Sequence, residues 1–311
     1  MGQPSSLTQP LVKRGCRHGS MRIVDTSWPH VGTSMSVGQI TQRESLVMSY
    51  MDHFKFTRQP FSEHASREAL WNDSRMEEGL SRLSYLLGNG LVGLVTGASG
   101  LGKSALIRRF MQDCSTQACD AQYCHLAQLP GSSLLKCIVT LLGEVPKFGK
   151  DRLYSQILER AKRSEGTMLL IFDEAHLLSG DTLVDLRLLV SSAVEAGPPL
   201  KILLVGQESL RQKLKRAEYT DIVNRVSVRY QLKPFSKDQT RKYIDYSVGS
   251  SGGDVKIFDE GVKDLMHEST GGNPRGINNA AMACLLCASS RRAARIDEEI
   301  YRQAAQELQW N

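Results

Sequence analysis

The sequence predicts a three-layer α/β fold, in which a mostly parallel sheet is covered by helices on both faces, followed by a small helical domain. Apolar runs at 91–96, 168–173 and 201–205 alternate with helix-like segments. Continuous apolar strands of this kind are typical of parallel sheets that are buried on both faces. The first two runs end in residues suited to phosphate and metal binding. After Pro234 the periodic segments have helical spacing, which predicts a separate helical unit.

A glycine-rich loop follows the first apolar run and precedes a helix-like segment, ALIRRFM. The loop matches the pattern G-x-x-x-x-G-K-[ST], in which backbone N–H groups cradle phosphates. Glycines let the chain approach a phosphate closely, and the positive end of the following helix strengthens the field. The residues predicted to bind a nucleotide are Gly97, Ala98, Ser99, Gly100, Leu101, Gly102, Lys103, Ser104 and Ala105.

The last residues of this loop have distinct predicted roles. We expect Lys103 to reach the β- and γ-phosphates of ATP and the Ser104 hydroxyl to ligate Mg²⁺. A glycine turn that binds no ligand is the alternative, and it is the weaker interpretation in this strand–loop–helix context.

A pair of carboxylates, Asp173 and Glu174, ends the second apolar run, MLLIFD. We expect Asp173 to hold the Mg²⁺ shell and Glu174 to orient and polarise the attacking water. Solvated strand ends are the alternative, and so apolar a strand beside a phosphate loop argues against it. His176 completes the string DEAH and is expected at a loop or helix start, without a catalytic role.

The composition is that of an ordinary globular protein, with 41% hydrophobic and 23% charged residues. No run reaches the roughly 18 apolar residues of a membrane span, and the N-terminus lacks the apolar core of a secretory signal, so we expect a cytoplasmic protein. Seven scattered cysteines suit a reducing compartment. Cys284 and Cys287 form a C-x-x-C in an alanine-rich helix, where we expect core packing rather than a metal site.

The formal net charge is +6, and half of it comes from residues 1–47. This segment is rich in Ser, Thr, Gly and Gln and is predicted to be disordered. One hypothesis is that it is an upstream extension and that the native chain begins at Met48. Because the remaining chain is only weakly basic, DNA binding would depend on local patches.

The elements between and after the motifs follow in a regular order. An aromatic arm at 50–61, YMDHFKFTRQPF, is expected to pack on the core, with contact to an adenine base as the alternative. The further predicted elements are a helix at 75–87, a strand at 121–126, helices at 133–142 and 151–162, a helix after Ser179, and helices at 237–246, 259–268, 274–289 and 297–308. The predicted units are a nucleotide-binding core at 48–234 and a helical domain at 235–311.

Two further segments carry residues that could act on a γ-phosphate. Gln207 follows the apolar run at 201–205 and is a candidate sensor of hydrolysis, with an ordinary loop amide as the alternative. Arg225, or Arg229 in its place, is a candidate for the cation that neutralises charge developing on the γ-phosphate, which a neighbouring subunit sometimes supplies. Surface ion pairs are the alternative for both arginines.

The segment GGNPRGIN begins a predicted helix in the second unit. Asn273 can cap this helix and Pro274 suits its first position. Arg275 then projects from the first turn, where it could fold onto a bound nucleotide, with a solvent-facing side chain as the alternative.

Together these residues resemble the AAA+ ATPases, and within them the ExeA-like group. The similarity covers residues 48–311 and is carried by HFKFTRQPF at 53–61, GASGLGKS at 97–104, LLIFDEAH at 169–176, LLVGQESL at 203–210, NRVSVRYQLKPFS at 224–236 and GGNPRGIN at 271–278. The resemblance implies a RecA-like αβα core with a C-terminal helical lid. It also implies ATP and Mg²⁺ bound between the two, and assembly into homo-oligomeric rings or filaments.

The same resemblance implies roles for individual residues. The implied catalytic set is Glu174, Lys103, Gln207 and Arg225, with Ser104 and Asp173 at the metal and Arg275 as the second sensor. Gln207 falls in the first sensor and Arg225 in the position of an arginine finger.

The chain's short, single-module form differs from the secretion members of the group and resembles the TniB and TnsC kind of ATPase, which travels with transposases. The leading hypothesis is therefore an ATP-hydrolysing switch that oligomerises on nucleotide and acts on double-stranded DNA together with a transposase. Basic patches at 211–216 and at Arg291, Arg292 and Arg295 could touch DNA phosphates, although charged helix faces are usually only solvated. The alternatives are a cytoplasmic ATPase of a secretion or pilus system and a scaffold that binds ATP without turnover.

Overall fold

The computed structural model describes residues 50–62, 71–114, 119–125, 131–164, 166–196 and 200–308. The disorder predicted for residues 1–47 falls outside these ranges, and so does Met48. Within them the chain forms a three-layer α/β unit and then a helical unit, in the order that the sequence predicts.

A five-stranded sheet forms the centre of the first unit. In chain order its strands are β1 Val92–Thr96, β2 Cys119–His125, β3 Thr167–Asp173, β4 Leu200–Gly206 and β5 Val226–Gln231. They lie in the order β2-β3-β4-β1-β5, and each neighbouring pair is parallel. This confirms the predicted fold class, and it brings the carboxyl ends of the strands to one edge of the sheet.

Helices cover both faces of this sheet, which is why its central strands are apolar throughout. The helices of this unit are α1 Ser74–Asn89, α2 Lys103–Cys114, α3 Gly131–Leu141, α4 Lys150–Lys162, α5 Gly180–Ala196, α6 Glu208–Leu214 and α7 Thr220–Val223. On one face, Leu83 of α1 and Phe110 of α2 pack with Val95. On the other, Ile157 of α4 and Leu186 of α5 pack in a second cluster. Each such fully buried side chain contributes about 1.5–3 kcal/mol.

The second unit is helical and has a hydrophobic core of its own. Its helices are α8 Lys237–Ser250, α9 Glu260–Thr270, α10 Pro274–Ser290 and α11 Glu298–Leu308. The Asn273 side chain accepts hydrogen bonds from the backbone N–H groups of Arg275 and Gly276 at 3.1 and 3.4 Å, so it caps α10 as predicted. Pro274 occupies the first position of that helix.

The aromatic arm packs into the core of the helical unit and not onto the sheet. Tyr50, Phe54, Phe56 and Phe61 are all buried in that core. The Phe56 ring lies 6.5 Å from the Tyr50 ring and 5.9 Å from the Phe54 ring, measured between centroids. The arm therefore precedes the sheet in sequence but joins the helical unit in space.

The six cysteines within the described residues are free thiols. Cys284 and Cys287 are buried in the core of the helical unit, where burial raises the pKa of Cys284 to about 12. These two thiols pack as the sequence predicts. Among the described residues, none of the helices is long and apolar enough to cross a membrane.

Candidate active site

The glycine-rich loop and the acid pair lie side by side at the carboxyl edge of the sheet. The strands that precede them, β1 and β3, both pair with β4, so a single strand separates their ends. The Ser104 hydroxyl donates a hydrogen bond to Oδ2 of Asp173 at 3.1 Å. The two predicted motifs therefore meet in one place.

The backbone of the loop has the shape that its glycines permit. Gly100 and Gly102 have φ values of +80° and +98°, a region that residues with a Cβ rarely adopt. A Cβ on Gly100 would lie 2.6 Å from Oδ1 of Asn273 and 2.8 Å from Cβ of Arg275. The helical unit thus approaches the loop so closely that only glycine fits between them.

Lys103 is buried at the start of α2, and its ammonium group is held over the loop. Its Nζ donates hydrogen bonds to the carbonyl oxygens of Gly97 at 3.0 Å and Ala98 at 2.9 Å. Burial lowers the pKa of Lys103, while the nearby carboxylates of Glu174 and Asp173 oppose that shift. A phosphate would offer this cation charged oxygens, which make stronger hydrogen bonds than neutral carbonyls.

Asp173 is almost fully buried, with 1% of its surface exposed, and three donors hold its carboxylate. Oδ2 accepts from Ser104 and from the Tyr123 hydroxyl, the latter at 2.6 Å. Oδ1 accepts from the backbone N–H of Glu174 at 2.8 Å. A carboxylate and a hydroxyl this close together are the hard oxygen donors that Mg²⁺ prefers, so these residues fit the metal that the sequence predicts.

Glu174 lies at the opening of the site in a strained conformation. Its φ of +52° is left-handed, which is costly for a residue other than glycine, and strained residues of this kind cluster at functional sites. Its Oε2 atom lies 3.2 Å from Nδ1 of His176. The sequence predicts a loop or a helix start for His176, and the residue lies in the middle of the short 3₁₀ turn Ala175–Leu177. Its proximity to Glu174 is not part of that prediction.

A cavity of about 560 Å³ opens beside the loop, between the two units. This volume is within the range of about 300–1,000 Å³ that is usual for ligand pockets. Residues 99–105 and Glu174 line one side, and Arg275 lines the other. Arg58, Gln59 and Phe61 of the arm also line it, so the arm both packs into the helical core and contacts the cavity.

Another part of the cavity wall is aromatic. The Phe235 ring lies 5.2 Å from Trp71 and 5.0 Å from Tyr243, measured between centroids. Arg75 lies above Phe235, with Cζ 3.8 Å from the ring centroid, and its guanidinium contacts both carboxylate oxygens of Asp73. No local pattern predicts this aromatic wall, because its residues come from segments that are distant in sequence.

The predicted sensor residues lie at the same edge of the sheet. Gln207 directly follows Gly206, which pairs with Thr96 at the end of β1. Arg275 lies on the other side of the loop, where its backbone N–H donates to the Gly100 carbonyl at 3.2 Å. Its guanidinium donates to the Ser99 hydroxyl at 3.3 Å. Both positions are compatible with the predicted roles, which remain predictions.

Arg225 lies away from this site, at the opposite edge of the sheet. It precedes β5, whose first residue Val226 pairs with Val92 at the start of β1. The five residues of β1, at about 3.3 Å each, separate that edge from the loop by about 16 Å. The Arg225 side chain is therefore too short to reach a phosphate bound at the loop of its own subunit.

Comparison with known proteins agrees with this fold. Residues 87–214 match the AAA domain family. Over 256 residues the chain is 28% identical to general secretion pathway protein A of Aeromonas hydrophila, an alignment that covers 79% of this chain and 46% of that protein. The chain therefore spans about half the length of this relative.

Solved structures with the same fold include Cdc6p from Pyrobaculum aerophilum, with a TM-score of 0.67 and 17% identity, covering 81% of this chain and 71% of that one. The ORC1 protein of Aeropyrum pernix, solved in complex with DNA, has a TM-score of 0.61 and 16% identity, covering 78% of this chain and 67% of that one. At such identities the likeness shows the fold alone. It confirms the predicted αβα core with a helical unit after it.

We expect Gly100→Ala to lower the free energy of unfolding by about 1–2 kcal/mol, because the left-handed backbone disfavours a Cβ. The collision with Asn273 and Arg275 adds to this cost. Urea denaturation of the full chain measures the change. Gly88→Ala is the matched control, because a Cβ at this helical glycine meets nothing within 4 Å. It should be neutral or stabilising by about 0.5–1 kcal/mol. Equal effects of the two substitutions would contradict the close contact between the loop and the helical unit.

Proposed function

We infer that this is an ExeA-like AAA+ chain, because residues 87–214 match the AAA domain family and the chain is 28% identical to general secretion pathway protein A. From that premise we propose that it binds ATP with Mg²⁺ between its two units and hydrolyses the terminal phosphate bond. The observation that carries this proposal is the hydrogen bond between Ser104 and Asp173, because it joins the phosphate loop to the acid pair. A loop that only turned the chain would not need a buried lysine and two carboxylates beside it.

Each residue of the site has a chemical task in this proposal. The backbone N–H groups of the loop and of the first turn of α2 bind the phosphates, and Lys103 exchanges its carbonyl partners for phosphate oxygens. Ser104 and Asp173 would hold Mg²⁺, which neutralises charge on the phosphates when it is bound. Glu174 orients the attacking water and accepts its proton. Arg275 already contacts the loop, so it would couple nucleotide binding to the position of the helical unit.

We expect Glu174→Gln to retain ATP affinity while turnover falls about 10²–10⁴-fold, because the variant keeps the phosphate loop but loses the proton acceptor. Lys103→Ala should lose affinity for ATP as well as turnover. Titration with a fluorescent ATP analogue measures the affinity, and the rate of phosphate release measures the turnover. ATP affinity that survives in Lys103→Ala would show that the loop is not the phosphate site. Normal turnover in Glu174→Gln would remove the glutamate from the mechanism.

The position of Arg225 supports an active site shared between subunits. Because this arginine lies at the far edge of the sheet from the loop of its own subunit, we propose that it completes the site of a neighbouring copy. Assembly into a ring or filament would then be required for full turnover.

Arg225→Ala should bind ATP normally and lose about 10³-fold or more in turnover, the usual contribution of such an arginine. A mixture of Arg225→Ala with Glu174→Gln should turn over faster than the two variants measured separately. In the mixture, a subunit carrying Arg225→Ala keeps its acid pair and can receive the intact Arg225 of a neighbouring subunit that carries Glu174→Gln. Arg229→Ala is the matched control, since Arg229 donates to the Val223 carbonyl within its own subunit at 3.3 Å. If Arg229→Ala alone loses turnover, Arg225 is the wrong residue.

For the molecule on which this switch acts, we propose double-stranded DNA, with a transposase as the protein partner. The basic residues Arg292 and Arg295 support this proposal, because they are exposed on the helical unit. The patch at 211–216 supports it less, since Arg211 pairs with Glu208 at 2.5 Å and Lys213 donates to the carbonyls of His176 and Leu178. The Aeropyrum pernix protein with a similar fold was solved with DNA.

A protein partner in an envelope assembly system is the second candidate, and the name of the Aeromonas hydrophila relative favours it. The two candidates differ in what they require of the surface. Binding to DNA requires phosphate contacts and weakens steeply with salt, whereas a protein partner sets no such requirement.

Gel retardation of duplex DNA with ATP at low salt tests the DNA proposal. Retardation should weaken as salt rises, and Arg292→Ala combined with Arg295→Ala should reduce the salt slope by about 2, close to one unit for each phosphate that is no longer neutralised. Arg211→Ala combined with Arg216→Ala is the matched control, because both of these arginines contact acidic side chains. Without retardation of the intact chain, DNA is not the molecule on which the switch acts, and the protein partner becomes the better proposal.

A further inference from the structure

Tyr123 brings a third segment of the chain to the acid pair. It lies on β2, next to the strand that carries Asp173, and the β2–β3 register places it opposite Ile171. Its hydroxyl donates a hydrogen bond of 2.6 Å to Oδ2 of Asp173, across 50 positions in sequence. The carboxylate is thus held from a strand that contributes neither the phosphate loop nor the acids.

The other donors to Asp173 cannot replace this hydrogen bond. The Ser104 hydroxyl shares Oδ2, but Ser104 is itself a proposed metal ligand and its oxygen would turn toward the ion. The backbone N–H of Glu174 holds only Oδ1. Tyr123 is therefore the donor that can keep Oδ2 in a fixed direction while metal and phosphate enter.

We infer that Tyr123 is a positioning residue for the divalent metal, which orients the Asp173 carboxylate so that it can bind Mg²⁺ together with Ser104. This inference rests on the proposed ATPase function. Groups that hydrogen-bond a metal-binding carboxylate fix its direction, and removing one typically costs about 10–100-fold in metal affinity. Tyr123 touches neither the metal nor the phosphates in this role.

The surroundings of Tyr123 fit a permanent donor. Burial and the neighbouring Asp173 carboxylate raise the pKa of Tyr123 above its usual range, so the hydroxyl keeps its proton at neutral pH. The ring packs against the hydrophobic cluster formed with α1 and α2. Phenylalanine can fill the same space, so Tyr123→Phe removes the hydrogen bond and leaves the packing.

Tyr123→Phe tests the inference through metal binding. The Mg²⁺ concentration that half-saturates binding of a fluorescent ATP analogue should rise about 10–100-fold. Binding of the same analogue in excess EDTA should equal that of the unmodified chain. The affinity for Mn²⁺ in the presence of ATP should fall by the same factor. The electron paramagnetic resonance signal of unbound Mn²⁺ measures this affinity. At saturating Mg²⁺, turnover should return to the level of the unmodified chain.

Tyr154→Phe is the matched control, because it removes a hydroxyl that donates to the backbone carbonyl of Asp185 at 3.0 Å, outside the cavity wall. It should leave the metal dependence unchanged. An unchanged Mg²⁺ requirement in Tyr123→Phe would overturn the inference, and so would turnover that stays low at saturating Mg²⁺. If the unmodified chain itself shows no Mg²⁺-dependent ATP binding, the proposed function fails first.

Discussion

The hydrogen bond from Ser104 to Asp173 joins the two halves of the candidate site, and the rest of the architecture makes that contact possible. The two residues are 69 positions apart in sequence. They meet because β1 and β3 run parallel on either side of β4, so the segments that follow them emerge at the same edge. An antiparallel arrangement of these strands would place the loop and the acids at opposite edges. Parallel pairing is therefore the constraint on which the chemistry depends.

The helical unit is attached to this edge by few but specific contacts. Asn273 caps α10 through its side-chain oxygen and donates through its nitrogen to the Ser99 carbonyl at 2.8 Å. The backbone N–H of Arg275 donates to the Gly100 carbonyl, so the start of one helix contacts the phosphate loop directly. A change in the loop on binding a nucleotide would act on the helical unit through these bonds. The aromatic arm adds to this coupling, since it is buried in the helical core and also lines the cavity.

Hydrogen bonds and the local backbone fix the orientation of the polar groups around the acid pair. Three donors hold the Asp173 carboxylate, and the Glu174 backbone is left-handed. Lys103 is buried near both acids. Their negative charges and the loop carbonyls that accept its hydrogen bonds stabilise its ammonium group. Such a site has its charges in place before a ligand arrives, which reduces the reorganisation needed at the moment of reaction. Tyr123 belongs to this arrangement, although it lies on the edge strand.

The sequence by itself determined the features that depend on neighbouring residues. The glycine loop, the apolar strands, the acids that end β3 and the cap of α10 by Asn273 are local patterns, and the structure has each of them. Their meeting in one site also followed from the sequence, once a parallel sheet was inferred from the alternation of strands and helices.

Tertiary structure decided which distant segments share a surface. No local pattern in the sequence specifies that Tyr123 bonds to Asp173, that Trp71 lies against Phe235, or that the arm packs on the helical unit rather than on the sheet. The position of Arg225 at the far edge follows from the direction of β5, which local periodicity does not specify. Strand order and register set these neighbours, and both arise from the packing of the whole chain rather than from any one segment.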